Sequence, residues 1–355
     1  MSQIDIIFHL ASSTIRSDFS QNPVETIDAN LFGTARLLKY AKANKVKKFL
    51  LASSMSIYGV RNTKEFIAED DYGYIDLQNI ETSYDEAKRM AEALCLAYGK
   101  NSDTNMHIAR IGGTFGIGMR KDTEMATNTM LRQAMNFGIV KVVNPDVWRA
   151  NTYVSDTVLG LFYILFFAEN LQAYNVSNMK EYMSMHSLGS IIAKAVGVKL
   201  VIEQNSTAAR LNKMVLDSSK LSAIGYSPKI TTQKGITHMY EYIKDSPNLS
   251  QITGEDIGMI IADEGLQKAW HKLDGKTVLV TGASGMIPHY VVHTLMHLET
   301  IGIKINVIAL SRSEEKLKAK FADYLSKPNF HIIAQDVAEP ISSLSLSRKT
   351  QTIVE

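Results

Sequence analysis

Tyr84 and Lys88 stand four residues apart in the segment Ser83-Tyr84-Asp85-Glu86-Ala87-Lys88. On a helix this spacing puts both side chains on one face. An ammonium beside a phenol favours the phenolate and lowers its pKa. Such a tyrosine can take a proton from an alcohol, or return one to a carbonyl, while the carbon changes oxidation state. The spacing alone is common by chance and usually marks a surface pair. A second cluster, Ser53-Ser54-Met55-Ser56-Ile57-Tyr58-Gly59, follows the apolar run at residues 48–53. Serines at the C-terminal end of a strand in a parallel sheet lie where such folds bind ligands. The same serines are also turn formers.

A third cluster, Thr281-Gly282-Ala283-Ser284-Gly285-Met286-Ile287-Pro288, follows the apolar run KTVLVT at 276–281 and opens a helical stretch. Glycines let backbone approach a pyrophosphate, and a helix N-terminus offers N–H groups and the positive end of its dipole. A glycine pair by itself fits any turn. Between a buried strand and a helix, it reads as a dinucleotide site. The usual pattern has a third glycine where Pro288 stands, and proline is tolerated in a first helical turn. The next strand ends at Ser311-Arg312. An acid there would bond a ribose 2′-OH, as in NAD, whereas an arginine can accept the 2′-phosphate of NADP. Arg312 leans toward NADP, or simply faces solvent.

These groups need a scaffold that brings residues 54, 84 and 282 together. Residues 4–10 (IDIIFHL), 48–53 (KFLLAS) and 107–111 read as buried strands, and residues 24–43 and 80–98 as helices. Continuous apolar strands separated by helices predict a parallel sheet covered on both faces. The pattern restarts at 274–337, with strands at 276–281, 305–310 and 330–334 and helices at 286–298 and 313–325. A strand–glycine turn–helix unit normally opens a Rossmann domain, yet here it comes late. Placing residues 254–340 ahead of residue 4 restores the usual strand order, so the chain is expected to be circularly permuted. Residues 245–251 (DSPNLSQ) would join the ancestral ends. Such rearrangement is tolerated where termini lie close and the break falls in an exposed connection.

The expected fold is therefore α/β, a Rossmann-type doubly wound parallel sheet in permuted order with a smaller substrate-binding lobe. The dinucleotide-binding domain takes residues 1–112 and 254–340, with 150–174 packing on it. The lobe takes 113–149 and 175–245, and 341–355 form a tail.

The chain has 355 residues, 45% hydrophobic and 21% charged, which is ordinary for a globular protein. Its net charge of +2 points to no nucleic-acid or anionic-membrane partner. A single cysteine, Cys95, excludes an internal disulfide and fits a reducing cytoplasm. No apolar run reaches the roughly 18 residues of a membrane span. Residues 4–10 lack the basic flank of a signal peptide. No metal site is expected.

Read together, the motifs resemble the extended short-chain dehydrogenase/reductase family of nucleotide-sugar epimerases, dehydratases and decarboxylases. They are TGASGMI at 281–287, QDV at 335–337, FHLAS at 8–12, Asn30-x-x-Gly33-Thr34, ASSMSIYG at 52–59, SYDEAKRMAEAL at 83–94, Arg149-x-x-x-Tyr153-Val154-Ser155-Asp156 and Tyr174-Asn175-Val176-Ser177-Asn178. The resemblance covers most of 4–245 and 254–337 in permuted order. It implies Tyr84 as acid/base, Lys88 as the group that lowers its pKa and holds the nicotinamide ribose, and Ser54 as the hydrogen-bond partner of the reacting hydroxyl. It implies a cofactor set of Gly282, Ser284, Gly285, Met286, Ile287, Ser311, Arg312, Asp336, Val337, Leu10, Ala11, Ser12, Asn30, Ala52, Ser53 and Ile111, with Tyr84 and Lys88. Asp336 and Val337 would flank the adenine. For the substrate it implies Ser54, Met55, Ser56, Gly113 and Arg149, the arginine meeting the nucleotide diphosphate. The implied cofactor is NAD, with NADP open because of Arg312.

Within the family, dehydratases resemble T-D-E and decarboxylases T-S-E at the catalytic serine. Ser54-Met55-Ser56 lacks those acids and looks more like epimerases, which need only reversible hydride transfer and rotation of a keto-sugar. SYDEAKRMAEAL and IARIGGTFGIGMR look more like the decarboxylase branch, the alternative. A third reading is a catalytically silent dinucleotide-binding regulator, against which the intact Ser54, Tyr84 and Lys88 speak. Gly113 replaces an asparagine that helps hold substrate phosphates. Relatives pair through helices 24–43 and 80–98, which implies a homodimer.

Overall fold

The computed structural model describes residues 3–61, 66–118, 125–203, 213–245 and 249–339. The chain begins with strand β1 (Ile6–His9), a short helix α1 (Arg16–Gln21) and helix α2 (Gly33–Ala43), followed by β2 (Lys48–Ser54). Helix α3 (Ser83–Lys100), β3 (Asn105–Ile111), helix α4 (Val154–Phe167) and β4 (Gln172–Val176) come next. The glycine turn joins β5 (Thr277–Thr281) to α5 (Met286–His297), and β6 (Asn306–Ser311), α6 (Glu314–Lys320) and β7 (Phe330–Ala334) follow.

The seven strands form one sheet in the order β7-β6-β5-β1-β2-β3-β4, with every neighbouring pair parallel. Strand β5 lies directly beside β1, with Ile6 opposite Val278 and His9 opposite Thr281. Residues 277–334 thus extend the sheet that begins at Ile6 and do not build one of their own. This is a Rossmann-like α/β fold. The strands are buried on both faces, which is why they read as unbroken apolar runs and not as alternating ones.

Helix α4 is almost wholly apolar after its first turn because it is covered on nearly every side. Its Phe162 meets Phe8 of β1 and Trp270, with ring centroids 5.6 and 4.9 Å away. Truncating a buried ring of this size costs about 3–5 kcal/mol. The late segment is tied to the rest by polar links as well. Tyr163 donates to Asp263 at 2.6 Å, and Tyr290 of α5 donates to Asp256 at 3.0 Å.

Several boundaries differ from the sequence reading. The expected helix at 24–43 is a composite: Pro23–Ile27 is α-helical, Asp28–Phe32 is a π-helical turn, and α2 completes it. The helix expected from residue 80 starts with a 3₁₀ turn, Ile80–Thr82, capped by the Asn79 side chain. The joining segment at 245–251 is shortened, because a helix runs over Leu249–Ile261 and buries Ile257 and Ile260. Residues 341–355 lie outside the described residues.

Beyond the main sheet, residues 139–143 pair in parallel with 199–203, and Trp148–Ala150 pairs antiparallel with Tyr182–Ser184. Both lie within the stretches expected to make the smaller lobe. Among the described residues no helix is long and apolar enough to cross a membrane, and no group of three or more His, Cys, Asp or Glu is placed to hold a metal ion.

Candidate functional site

The C-terminal ends of β5, β1 and β2 meet at one edge of the sheet. Gly282 leaves β5 with φ +69°, a left-handed conformation that favours glycine. A Cβ there would lie 2.7 Å from the Ala11 Cα, so the two backbones pass in direct contact. The turn closes through Gly285 N–H to the Gly282 carbonyl at 2.8 Å, and Ala283 N–H donates to the Leu310 carbonyl of β6 at 3.0 Å. Gly285 caps α5 with no side-chain bond, so the first N–H groups of the helix, those of Met286 and Ile287, have no side-chain cap in front of them. Pro288 is buried in the first helical turn, where no N–H is needed. Ser284 and Ser311 hydroxyls meet at 2.7 Å across the mouth of the turn.

At the far end of this edge, the exposed guanidinium of Arg312 lies 4.0 Å from the Asp336 carboxylate. Asp336 also receives the Ala338 N–H at 2.9 Å. A glycine turn beside a helix N-terminus, followed by a base and an acid at the next strand ends, fits a pyrophosphate and an adenosine ribose. Val337 does not line this edge with its side chain. It turns into the core and packs under Gly33, where an added Cβ would come within 2.9 Å of the valine Cγ2.

The catalytic candidates converge on the neighbouring strand end. Ser54, the last residue of β2, accepts the Ser56 N–H at 3.2 Å and so caps the 3₁₀ turn Met55–Tyr58. It is both a turn former and a site residue. Lys88 is 2% exposed and donates from Nζ to the Ala52 carbonyl at 2.9 Å. Burial lowers its pKa to about 8, with the Glu92 carboxylate opposing. Its Nζ lies 5.9 Å from the centre of the Tyr84 ring. The Ser54 and Ser12 hydroxyls approach the Tyr84 phenol and favour its ionised form, yet burial outweighs them and raises its pKa. Lys88 is expected to depress the phenol, and here burial acts in the opposite direction. With the ammonium turned to the Ala52 carbonyl and water excluded, desolvation is the larger effect.

Asn30 is turned toward the loop after β1. It accepts the Ser12 hydroxyl at 2.6 Å and donates to the Thr26 and Ser13 carbonyls at 2.8 and 3.3 Å. Its amide is fully engaged in holding the loop that carries Ala11 and Ser12. Leu10 and Ala52 sit at the strand ends with their side chains buried, and Ser53 Oγ is buried without a hydrogen-bond partner. Ile111 ends β3, where it packs against the main core. Met55 leans on Ile57, Tyr58, Ile67 and Leu216. The Ser56 hydroxyl faces the Asp85 carboxyl, whose pKa burial pushes up to about 6.

Gly113 accepts the Thr152 N–H through its carbonyl at 2.9 Å, and a Cβ there would lie 3.0 Å from the Ala150 carbonyl oxygen. Arg149, half-buried, donates to the Trp148 carbonyl at 2.7 Å, and burial together with the charge of Arg16 lowers its pKa.

Three features escaped the sequence reading. His9 ties the end of β5 to α2, its ring nitrogens 2.9 Å from both the Thr281 and Thr34 hydroxyls. Burial and the nearby Lys88 charge lower its pKa to about 3, so it is neutral. Its presence in FHLAS was the available signal. Arg110 pairs with Glu92 at 2.8 Å and donates to the Tyr58 and Tyr72 hydroxyls at 2.9 and 2.6 Å, bracing the strand ends from behind. Phe19 stacks on Tyr84, and nothing in the sequence of residues 13–22 announces it.

Comparison with known proteins agrees with this geometry. A family model described as the NAD dependent epimerase/dehydratase family matches residues 1–178. UDP-glucuronic acid decarboxylase 1 of Danio rerio is 27% identical over 245 residues, 68% of this chain and 57% of that protein. UDP-glucuronic acid decarboxylase 1 of Arabidopsis thaliana is 30% identical over 260 residues, 72% of this chain and 58% of that protein. The matches thus span somewhat over half the length of these relatives. UDP-glucuronic acid 4-epimerase from Bacillus cereus, solved with UDP-glucuronic acid and NAD, superposes with a TM-score of 0.60 at 26% identity, covering 68% of this chain and 76% of that one. RMD from Pseudomonas aeruginosa, solved with NADPH, shares the fold with a TM-score of 0.61 at 24% identity, covering 69% of this chain and 83% of that one. With the family model matching half of the chain and its motifs gathered at one edge of the sheet, the protein belongs to the NAD dependent epimerase/dehydratase family.

Proposed function

We propose that this chain is an NAD-dependent nucleotide-sugar epimerase, with a UDP-linked uronic acid as substrate. The observation that carries this reading is the convergence of Ser54, Tyr84 and Lys88, with Ser12 reaching the Tyr84 phenol from the loop whose Ala11 packs against Gly282. The uronic acid comes from the relatives: the decarboxylases are named for UDP-glucuronic acid, and the Bacillus cereus epimerase was solved with it. Arg312 leaves room for NADP.

A bound nicotinamide dinucleotide would accept a hydride from the sugar carbon and later return one. The residues of this chain do the rest. Gly282, Ser284, Gly285 and the α5 N-terminus hold the pyrophosphate, with Leu10, Ala11 and Ser12 opposite. Asp336 and Arg312 meet the adenosine end. Tyr84 takes the proton of the oxidised hydroxyl through its phenol oxygen and gives one back on reduction. Ser54 hydrogen-bonds the same sugar oxygen, and Lys88 fixes the nicotinamide ribose. Met55, Ser56 and Gly113 border the sugar, and Arg149 meets the diphosphate. The described parts of 113–149 and 175–245 supply the substrate side of the site.

The 4-keto form of a uronic acid is a β-keto acid and loses CO₂ readily, so epimerisation and decarboxylation share their first step. Ser54-Met55-Ser56 supplies no carboxylate and favours epimerisation, whereas the decarboxylase relatives favour the other outcome. Incubation of the NAD-loaded protein with UDP-glucuronic acid decides. An isomer of unchanged mass is expected, loss of CO₂ replaces epimerase by decarboxylase, and no turnover despite NAD binding sinks both.

We also infer that the chain order is a circular permutation of the family's, with residues 254–340 displaced from the front. The family model ends at residue 178 while the glycine turn lies at 281–288, and β5 nonetheless sits next to β1. A homodimer through the helical stretches 24–43 and 80–98 is supported by exposed Val24, Phe32, Ile80 and Met90. Sedimentation at micromolar concentration is expected to give a dimer, and a lone monomer species would remove it. The single cysteine supports a cytoplasmic setting.

A further inference from the structure

Helix α1 leaves the loop after β1 and lays Phe19 flat on the ring of Tyr84, with centroids 4.6 Å apart and planes 4° from parallel. The Ser83 hydroxyl donates to the Phe19 carbonyl at 3.1 Å, which pins this turn to the first turn of α3. The Thr26 hydroxyl holds the preceding Asp18 carbonyl at 3.3 Å. The stack occupies a face of the phenol ring. Its hydroxyl edge is left to Ser54 and Ser12. From this geometry we propose that Phe19 is a positioning residue for Tyr84: it fixes the plane of the ring and keeps water off the phenol, so that the proton moves only along the edge bordered by Ser54 and Ser12.

The proposal rests on the reading of Tyr84 as the acid/base. An aromatic face carries no charge, so Phe19 excludes water without adding an ion that would bias the phenol. The charged groups around Tyr84 come from elsewhere. Lys88 and Asp85 lie on its own helix, and Arg16 of α1 faces Asp85. Stacked ring pairs gain attraction beyond burial, which favours one ring orientation. Desolvation of the phenol accounts for the raised pKa of Tyr84 and predicts that exposing it lowers that value.

Two readouts test the idea. The first needs no substrate: absorbance titration of tyrosine, taken as the difference between proteins with and without Tyr84→Phe, isolates the Tyr84 ionisation. Replacing Phe19 by alanine is expected to lower its midpoint by about one pH unit. Phe19→Tyr, which keeps a flat ring, is expected to restore the native midpoint, while Phe19→Leu, which keeps apolar volume without the stack, lies between. An unchanged midpoint in folded Phe19→Ala overturns the proposal. The second readout is turnover, in which Phe19→Ala lowers kcat about tenfold and leaves KM within about twofold. A KM effect alone would make Phe19 a substrate contact and overturn the proposal as well. If the native protein turns over no nucleotide sugar, the functional reading fails while the titration still decides the role of Phe19.

Discussion

Tyr84→Phe is expected to keep the fold and cofactor affinity while turnover falls about 10²–10⁴-fold, the usual contribution of general acid–base catalysis. The substitution removes the phenol oxygen and leaves the ring stacked on Phe19, so packing is preserved. Lys88→Ala should lower both turnover and cofactor affinity. It would remove the ribose contact and leave the Ala52 carbonyl without its buried donor. Ser54→Ala should lower turnover less than Tyr84→Phe, because Ser54 only orients the sugar oxygen, and should loosen the 3₁₀ turn it caps. Steady-state rates with an identified nucleotide sugar, beside calorimetric cofactor binding, check the ordering. Undiminished turnover in folded Tyr84→Phe would take Tyr84 out of the chemistry.

Gly282→Ala is expected to abolish cofactor binding and to destabilise the protein, for two independent reasons. Its φ of +69° costs a non-glycine residue about 1–2 kcal/mol. The new Cβ would also sit 2.7 Å from the Ala11 Cα, a clash with backbone that only a shift of the β5–β1 junction relieves. Overpacking of this kind typically adds about 1–3 kcal/mol. Exposed Gly258, where an added Cβ meets nothing within 4 Å, is the control. Gly258→Ala in mid-helix should be neutral or stabilising by up to about 1 kcal/mol. Denaturant melts of both variants and NAD titration test this. Normal binding by Gly282→Ala would show that the dinucleotide does not use this turn.

The sheet was legible because both-face burial writes each strand as an apolar run and because Gly282 and Gly285 mark where β5 hands over to α5. The order of β5 beside β1 was legible only from the late position of that glycine turn. Element ends were read less well. The π-helical turn Asp28–Phe32 and the 3₁₀ turns are set by tertiary contacts and leave no periodic trace. Among site residues, Tyr84, Lys88 and Ser54 announced themselves by spacing. Phe19 did not, because a single aromatic in a short helix of otherwise polar residues looks the same whether it faces solvent or a phenol. The side chains of Asn30 and Val337 turn into the loop and the core, which the motif alone does not show. The motif fixes where the backbone runs, and only the packed loop shows which way an amide or an isopropyl group points.

The placement of β1 between β5 and β2 also has a consequence for biosynthesis. His9 and Thr281 are hydrogen-bonded neighbours yet stand 272 residues apart in the chain. At roughly 5–20 residues per second, a growing polypeptide would hold β1 with one edge bare for on the order of 10–50 s before β5 emerges to cover it. An unpaired strand edge of Ile6, Ile7 and Phe8 is a template for wrong pairing with other chains. The early half of this protein is therefore synthesised as an incomplete sheet whose central junction closes only once β5 has emerged. Its yield in a cell should depend on how well holdase chaperones shield that edge during the wait.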